Sequence, residues 1–218
     1  MHQTAFSKNK LLLLFFILLY GCSDVPTTEQ LPYYNTPDFT PVFLQNKKDI
    51  PNSITHQIGN FSFTNQDGKV ITQKNIEGKI HIANFIFTSC GSICPKMTGN
   101  LKAAGDFFKN DSNVVFLSFS VTPWIDSISV LKNYKDNNHI SNDNWHFLTG
   151  NQSAIYSLAR TSYFAEEDLG FTKDSTQFLH TEHILLVDPS KRIRGIYNGT
   201  LKLDVDQLIK DIEKLEKE

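Results

Sequence analysis

Hydrophobic positions along the chain change their spacing several times, and each change marks an element. Leu11 to Tyr20 is an unbroken apolar run, preceded by Lys8 and Lys10 with no acid and followed by Gly21, Cys22, Ser23 and Asp24. A bilayer span needs about 20 apolar residues, so this shorter run reads as the core of an export signal, not as a transmembrane helix. Ile58 to Thr72 alternates around Asn65-Gln66-Asp67-Gly68, with Phe61 and Phe63 before the turn and Val70 and Thr72 after it, which predicts a β-hairpin. Ile80 to Thr88 and Val114 to Val121 are mostly apolar runs suited to central strands. Between them, Pro95 to Lys109 puts Met97, Leu101, Ala104 and Phe108 on one helical face, although Gly99 and Gly105 weaken the helix. Asp126 is placed to cap a helix carrying Val130, Leu131 and Tyr134 inward. Trp145 to Leu148 reads as a short strand and Asn151 to Ser162 as a helix. His183 to Val187 and Ile193 to Tyr197 flank a turn at Asp188-Pro189-Ser190-Lys191, and Val205, Leu208, Ile209, Ile212 and Leu215 mark a closing amphipathic helix.

Strands alternating with helices imply a partly parallel sheet covered on both faces, and the final strand-turn-strand-helix implies an antiparallel side. The expected fold is an α/β thioredoxin-like sandwich with a mixed central sheet, an extra N-terminal β-hairpin and flanking helices. Residues 1–21 are expected to be a signal peptide and 22–45 a tether with an extended lead-in, rich in proline. Residues 46–218 then form the single folded domain. The composition fits: 218 residues with 40% hydrophobic content suit one domain with a core, and a net charge of −2 offers no basic footprint for nucleic acid.

Three cysteines are too few for a disulfide scaffold or a four-thiolate zinc site. Cys90-Gly91-Ser92-Ile93-Cys94-Pro95 lies where the strand beginning at Ile80 ends and the next helix starts, the edge of an α/β sheet where reactive groups collect. Pro95 suits a first helical turn, and Cys94 is thereby placed at the positive end of the helix dipole, which favours a thiolate. Thiols four residues apart can approach a disulfide or grip one soft metal ion. Three readings compete: a structural disulfide, whose short loop gains little chain entropy, a redox dithiol, and a copper site. Copper requires a further ligand. Of seven histidines, His2 leaves with the signal, and His56, His81, His139 and His146 read as surface or satisfied core residues. His180 and His183 remain. Three residues apart in an extended segment, they point to opposite faces and cannot both reach one ion, and the residues alone do not choose between them.

Leu19-Tyr20-Gly21-Cys22 resembles a bacterial lipobox, in which cleavage precedes the cysteine and its thiol is acylated. The segment from Phe87 to Met97 resembles the CxxxCP signature of the SCO/SenC family, membrane-attached thioredoxin-like copper proteins that serve cytochrome c oxidase assembly. Ser120-Val121-Thr122-Pro123-Trp124-Ile125-Asp126 is similar to that family's SVDPxxD segment, with Thr122 where the family has an aspartate. Leu148-Thr149-Gly150 is similar to its LTG. The stretch from His180 to Pro189 resembles its histidine-led approach to a strand and turn. The resemblance implies that Cys90, Cys94 and His180 bind one copper ion, Cu(I) or Cu(II), per chain, and that His183 has no required ligand role. It also implies delivery to the dinuclear copper site of oxidase subunit II and a thioredoxin-like reductant. Cys22 would carry the lipid that holds the protein to a bacterial membrane, facing the periplasm or extracytoplasmic space.

A thiol-disulfide reductase would use the same cysteines without His180, a lipid-tethered binding module would use them as a structural disulfide, and a thiol peroxidase would need a Thr/Pro/Arg arrangement not found around Cys90. Met97, three residues after Cys94, belongs to the core stripe with Leu101, Ala104 and Phe108. Phe164 to Gln177 fits neither a helical nor a strand period and reads as a loop ahead of His180.

Overall fold

A computed structural model describes residues 30–165 and 181–218. The expected signal peptide, Cys22, His180 and most of the segment read as a loop before it lie outside the described residues. Nine strands occur among them: β1 (Tyr33–Tyr34), β2 (Pro41–Val42), β3 (Ser62–Asn65), β4 (Val70–Thr72), β5 (Ile80–Ile86), β6 (Val114–Ser120), β7 (Trp145–Thr149), β8 (His183–Val187) and β9 (Ile193–Asn198). Five α-helices accompany them: α1 (Ile50–Ser53), α2 (Ile93–Phe107), α3 (Ile128–Asn137), α4 (Gln152–Thr161) and α5 (Lys202–Leu215). The strands form one sheet in the order β2-β1-β9-β8-β5-β6-β7-β3-β4. Its centre, β5-β6-β7, is parallel, while β8, β9 and β1 continue one side antiparallel and the β3–β4 hairpin adds to the other through β7. This is the mixed α/β sandwich expected from the order of elements.

Every residue of β5 and β6 is buried, because helices or loops cover both faces, and this is why their sequences read as continuous apolar runs. Side chains alternate between two cores. Ile80, Ile82 and Ile86 of β5 and Phe116 of β6 pack with Leu101 of α2 and Leu208 of α5. Ala83 and Phe85 of β5 and Leu117 and Phe119 of β6 face the other way, with Ile155 and Ala159 of α4 and Phe63 of β3. The hairpin turns at Gly68, whose φ of +74° is available to glycine at little cost. Gly105 is required for another reason: a Cβ there would sit 2.7 Å from the Trp145 ring.

Two parts departed from the sequence reading. The α3 cap is Ser127, whose hydroxyl accepts from Val130 N–H, and not Asp126. Asp126 is fully buried instead, because three hydroxyls and one amide N–H surround its carboxylate. The lead-in is also more than extended chain: Tyr33–Tyr34 and Pro41–Val42 pair with each other, and Tyr34 pairs with Ile193 of β9. Buried Arg194 holds this segment, donating to the carbonyls of Leu31 (2.8 Å) and Pro32 (3.1 Å) and stacking on the Tyr33 ring at 4.0 Å. The same guanidinium pairs with Glu218 at 2.8 Å and Asp188 at 3.5 Å. The unit defined by these contacts begins at Leu31 and runs to Glu218. No helix among the described residues is long and apolar enough to cross a membrane.

Candidate functional site

Strand β5 carries the chain to Ile86, and Phe87 to Ser92 then connect it to α2. Cys90 N–H donates to the Phe87 carbonyl at 3.2 Å, closing a turn that lifts Cys90 toward the start of the helix. Ser92 occupies the N-cap position of α2 but its side chain makes no cap bond. The free N–H groups of the first turn therefore need another acceptor. Cys90 Sγ supplies it, accepting from Cys94 N–H at 3.4 Å. The i, i+4 spacing of CxxxC thus folds the first thiol back over the helix end that the second thiol belongs to.

The two sulfurs have different surroundings. Cys90 is partly exposed and Cys94 is buried, and neither forms a disulfide. Partial burial pushes the Cys90 thiol upward, but hydrogen bonds from the backbone of Cys94, Ser92 and Ile93 and from the Cys94 thiol outweigh it, leaving Cys90 below the ordinary thiol value. Burial pushes Cys94 up to about 12, against a backbone hydrogen bond from Phe87, with the neighbouring Cys90 and the Asp126 carboxylate adding to the rise. The expectation that the helix start would favour a thiolate at Cys94 is overturned by burial; the thiol held low is Cys90, through the hydrogen bonds it accepts. Cys94 lies in the second helical position, but its sulfur packs into the core between β5 and α2.

Asp126 lies beneath the same loop. Its carboxylate accepts from Thr88 Oγ1 (2.5 Å) and Thr88 N–H (3.3 Å) on the β5 side, and from Ser120 Oγ (2.6 Å) and Thr122 Oγ1 (2.9 Å) on the β6 side. Thr122 spends its hydroxyl on Asp126. Sequence reasoning assigned Asp126 to a helix end because Asp before a helical stripe is a common cap. The signal it passed over is the hydroxyl residues at both strand ends, Thr88 on one and Ser120 with Thr122 on the other.

The histidines separate as their surroundings dictate. His56 Nε2 lies 2.7 Å from the Ser162 carbonyl, and His81 Nε2 lies 3.1 Å from the Tyr163 hydroxyl in the core. His146 is half-buried beside Asn65, and His139 takes a positive φ of 54° at the end of α3. His183 begins β8 with its ring edge against Phe39 at 5.6 Å, and Phe39 packs on the core that contains α4. Cys94 belongs to the opposite core, so His183 faces away from the thiols. The chain enters β8 at the end of the sheet that carries Cys90, since Asn84 pairs with Ile184 while His81 pairs with Val187. Met97 is fully buried, as its place on the helical stripe requires. Among the described residues no group of three metal-ligating side chains occurs. The two thiols, soft and adjacent, fit a soft metal ion such as Cu(I), and as a dithiol they also fit two-electron disulfide exchange.

Comparison with known proteins agrees with this geometry. The SCO1/SenC family model matches residues 51–217. The structure of BsSco, described as a member of the Sco family of cytochrome c oxidase assembly proteins with a disulfide switch, is 34% identical with a TM-score of 0.63. That match covers 74% of this chain and 94% of BsSco. A SCO1/SenC family lipoprotein from Bacillus anthracis is 29% identical with a TM-score of 0.64, covering 74% of this chain and 95% of that one. Arabidopsis thaliana ScoI with copper bound is 29% identical with a TM-score of 0.57, covering 73% and 98% respectively.

Proposed function

This chain belongs to the SCO1/SenC family, and from that premise we propose that it takes part in cytochrome c oxidase assembly by carrying copper on Cys90 and Cys94, with His180 as the third ligand. One observation carries the reading: two thiols, adjacent and unequal, sit at a helix start beyond the C-terminal end of the parallel strands. Two thiolates suit Cu(I), and an added imidazole extends the set to Cu(II). Support for His180 is positional. It immediately precedes Thr181, from which the chain enters β8 at the Cys90 end, and His183 is turned to the far face. Copper is the cargo here. It would pass by ligand exchange to an acceptor thiol pair, the dinuclear copper site of oxidase subunit II. Oxidation of Cys90 and Cys94 to a disulfide would exclude it, so a thioredoxin-like reductant is needed to reopen the pair. A lipid on Cys22 would hold the domain at a bacterial membrane on its periplasmic or extracytoplasmic side. The lipobox-like sequence supports this, as does the relative described as a lipoprotein.

The inequality of the two thiols favours a second reading, thiol-disulfide reductase. The Cys90 thiolate would attack an acceptor disulfide, expelling one of its thiolates, and Cys94 would then displace the second. The acceptor ends as a dithiol, and Cys90–Cys94 as the disulfide.

The test adds Cu(I) and Cu(II) to the reduced full chain and compares it with His180→Ala and His183→Ala. The expected result is one copper per chain with a sulfur-to-copper charge-transfer band, weakened in His180→Ala and kept in His183→Ala. Retention should fall as pH is lowered, because binding displaces thiol protons. Failure of the reduced chain to hold copper would overturn the chaperone reading in favour of the reductase. Equal losses in both variants would overturn the choice of His180.

A further inference from the structure

Asp126 is buried with no exposed surface, yet among the described residues no cation pairs with it. An ionised carboxylate in such a place costs several kcal/mol unless hydrogen bonds replace its water. Four do: Thr88 Oγ1 donates to Oδ1, and Thr88 N–H, Ser120 Oγ and Thr122 Oγ1 converge on Oδ2. The donors come from two sides. Ser120 and Thr122 belong to the end of β6 and the turn after it, whereas Thr88 belongs to the connection that carries Cys90 two residues later. The β5–β6 ladder ends where Val121 N–H donates to the Ile86 carbonyl at 2.9 Å. Beyond that point the strands part, and Thr88 N–H finds no strand carbonyl. Asp126 takes its place, accepting from both the N–H and the hydroxyl of Thr88. The helix-capping role that could otherwise explain an aspartate here is filled by Ser127.

We propose that Asp126 is a positioning residue for the thiol pair: by holding Thr88 against the end of β6 it sets the loop so that Cys90 Sγ meets Cys94 N–H at the start of α2. The inference rests on Cys90 and Cys94 being the working pair, and it holds for either cargo, copper or electrons. The Cys90 bond to Cys94 N–H is at 3.4 Å. That is an ordinary length for a hydrogen bond to sulfur, and a shift of about an ångström in the loop that Thr88 anchors would carry the pair out of bonding range. Ser120, by contrast, holds the same carboxylate without touching the loop. This separates positioning of the thiols from simple contribution to stability.

The experiment uses the reduced, metal-free full chain and follows alkylation of Cys90 by iodoacetamide at neutral pH by mass spectrometry, with the thermal midpoint measured in parallel. Thr88→Val removes the hydroxyl arm on the loop side, Thr88→Ser keeps it, Asp126→Asn removes the charge, and Ser120→Ala removes an arm on the strand side only. The expected result is a Cys90 rate about tenfold lower in Thr88→Val and Asp126→Asn, the size of losing one charge-assisted hydrogen bond. Thr88→Ser should restore the wild-type rate, and Ser120→Ala should lower the midpoint while leaving the rate near wild type. Wild-type rates in Thr88→Val and Asp126→Asn with only a lowered midpoint would overturn the proposal. So would equal slowing in Thr88→Val and Ser120→Ala, which marks general loosening. If Asp126→Asn does not fold, the Thr88→Val and Thr88→Ser pair decides alone. Copper plays no part in this readout, so a wild-type chain that fails to bind copper refutes the copper reading and leaves this comparison standing.

Discussion

At the scale of single residues, the site is defined by how differently two identical side chains are treated. Cys90 Sγ accepts the hydrogen bond that the α2 N-cap residue does not, while Cys94 is enclosed by the core. Iodoacetamide is therefore expected to modify Cys90 first in the reduced chain, from a pH below the ordinary thiol range. Cys94 should react only near pH 12 or on unfolding. Equal rates at neutral pH, read by peptide mass mapping, would contradict the asymmetry. The CxxxCP spacing made the pair legible in the sequence, but not which thiol is activated. The helix dipole acts on both residues, and burial decides between them. His81 gives a second residue-scale prediction. Burial holds its imidazole down to about 3, whereas it titrates near 6.5 when unfolded. The unfolded chain therefore takes up this proton first as pH falls, so the stability His81 contributes is complete above about pH 6.5 and is lost toward pH 3. The slope is at most about 1.4 kcal/mol per pH unit. Urea titrations across this range should show the decline, and His81→Phe should flatten it.

At the scale of elements, period and punctuation carried most of the information. The bounds of β5, β6, β8 and α4 lie within two residues of the pattern in the sequence, because buried runs and the Asn151 cap are local signals. The short strands at the start of the fold and the role of Asp126 were not legible. β1 and β2 are two residues each and exist only because β9 and Arg194 hold them, a tertiary cause that leaves no period behind. Asp126 satisfied the local rule for a cap but was taken by a stronger non-local set of donors. Gly105 shows the reverse: it weakens α2 by propensity, but it lets the helix approach the Trp145 ring. Gly105→Ala is therefore expected to destabilise the fold by about 1–3 kcal/mol despite alanine's better helix propensity, measurable by denaturant unfolding. A gain in stability would show that the Trp145 ring can yield.

At the scale of the whole molecule, the sheet separates two ends. Cys90, Asp126 and the start of β8 lie at the C-terminal end of the parallel strands, and Arg194, Asp188 and Ile193 lie at the other. The first end holds the chemistry and the second holds the segment that leads in from Leu31. Removing the clamp with Arg194→Ala leaves the buried carboxylate of Asp188 without its cation and frees Leu31, Pro32 and Glu218 together. The expected cost is about 3–5 kcal/mol in chemical unfolding, with Cys90 alkylation in the native state unchanged. A change in Cys90 reactivity without loss of stability would contradict the separation of the two ends. The separation also has a mechanical meaning. Tension applied through the chain before Leu31 enters the fold at the guanidinium of Arg194 and is divided among β9, the Asp188 turn and the last residue of the chain. That point of entry lies at the end of the sheet opposite the loop that carries Cys90.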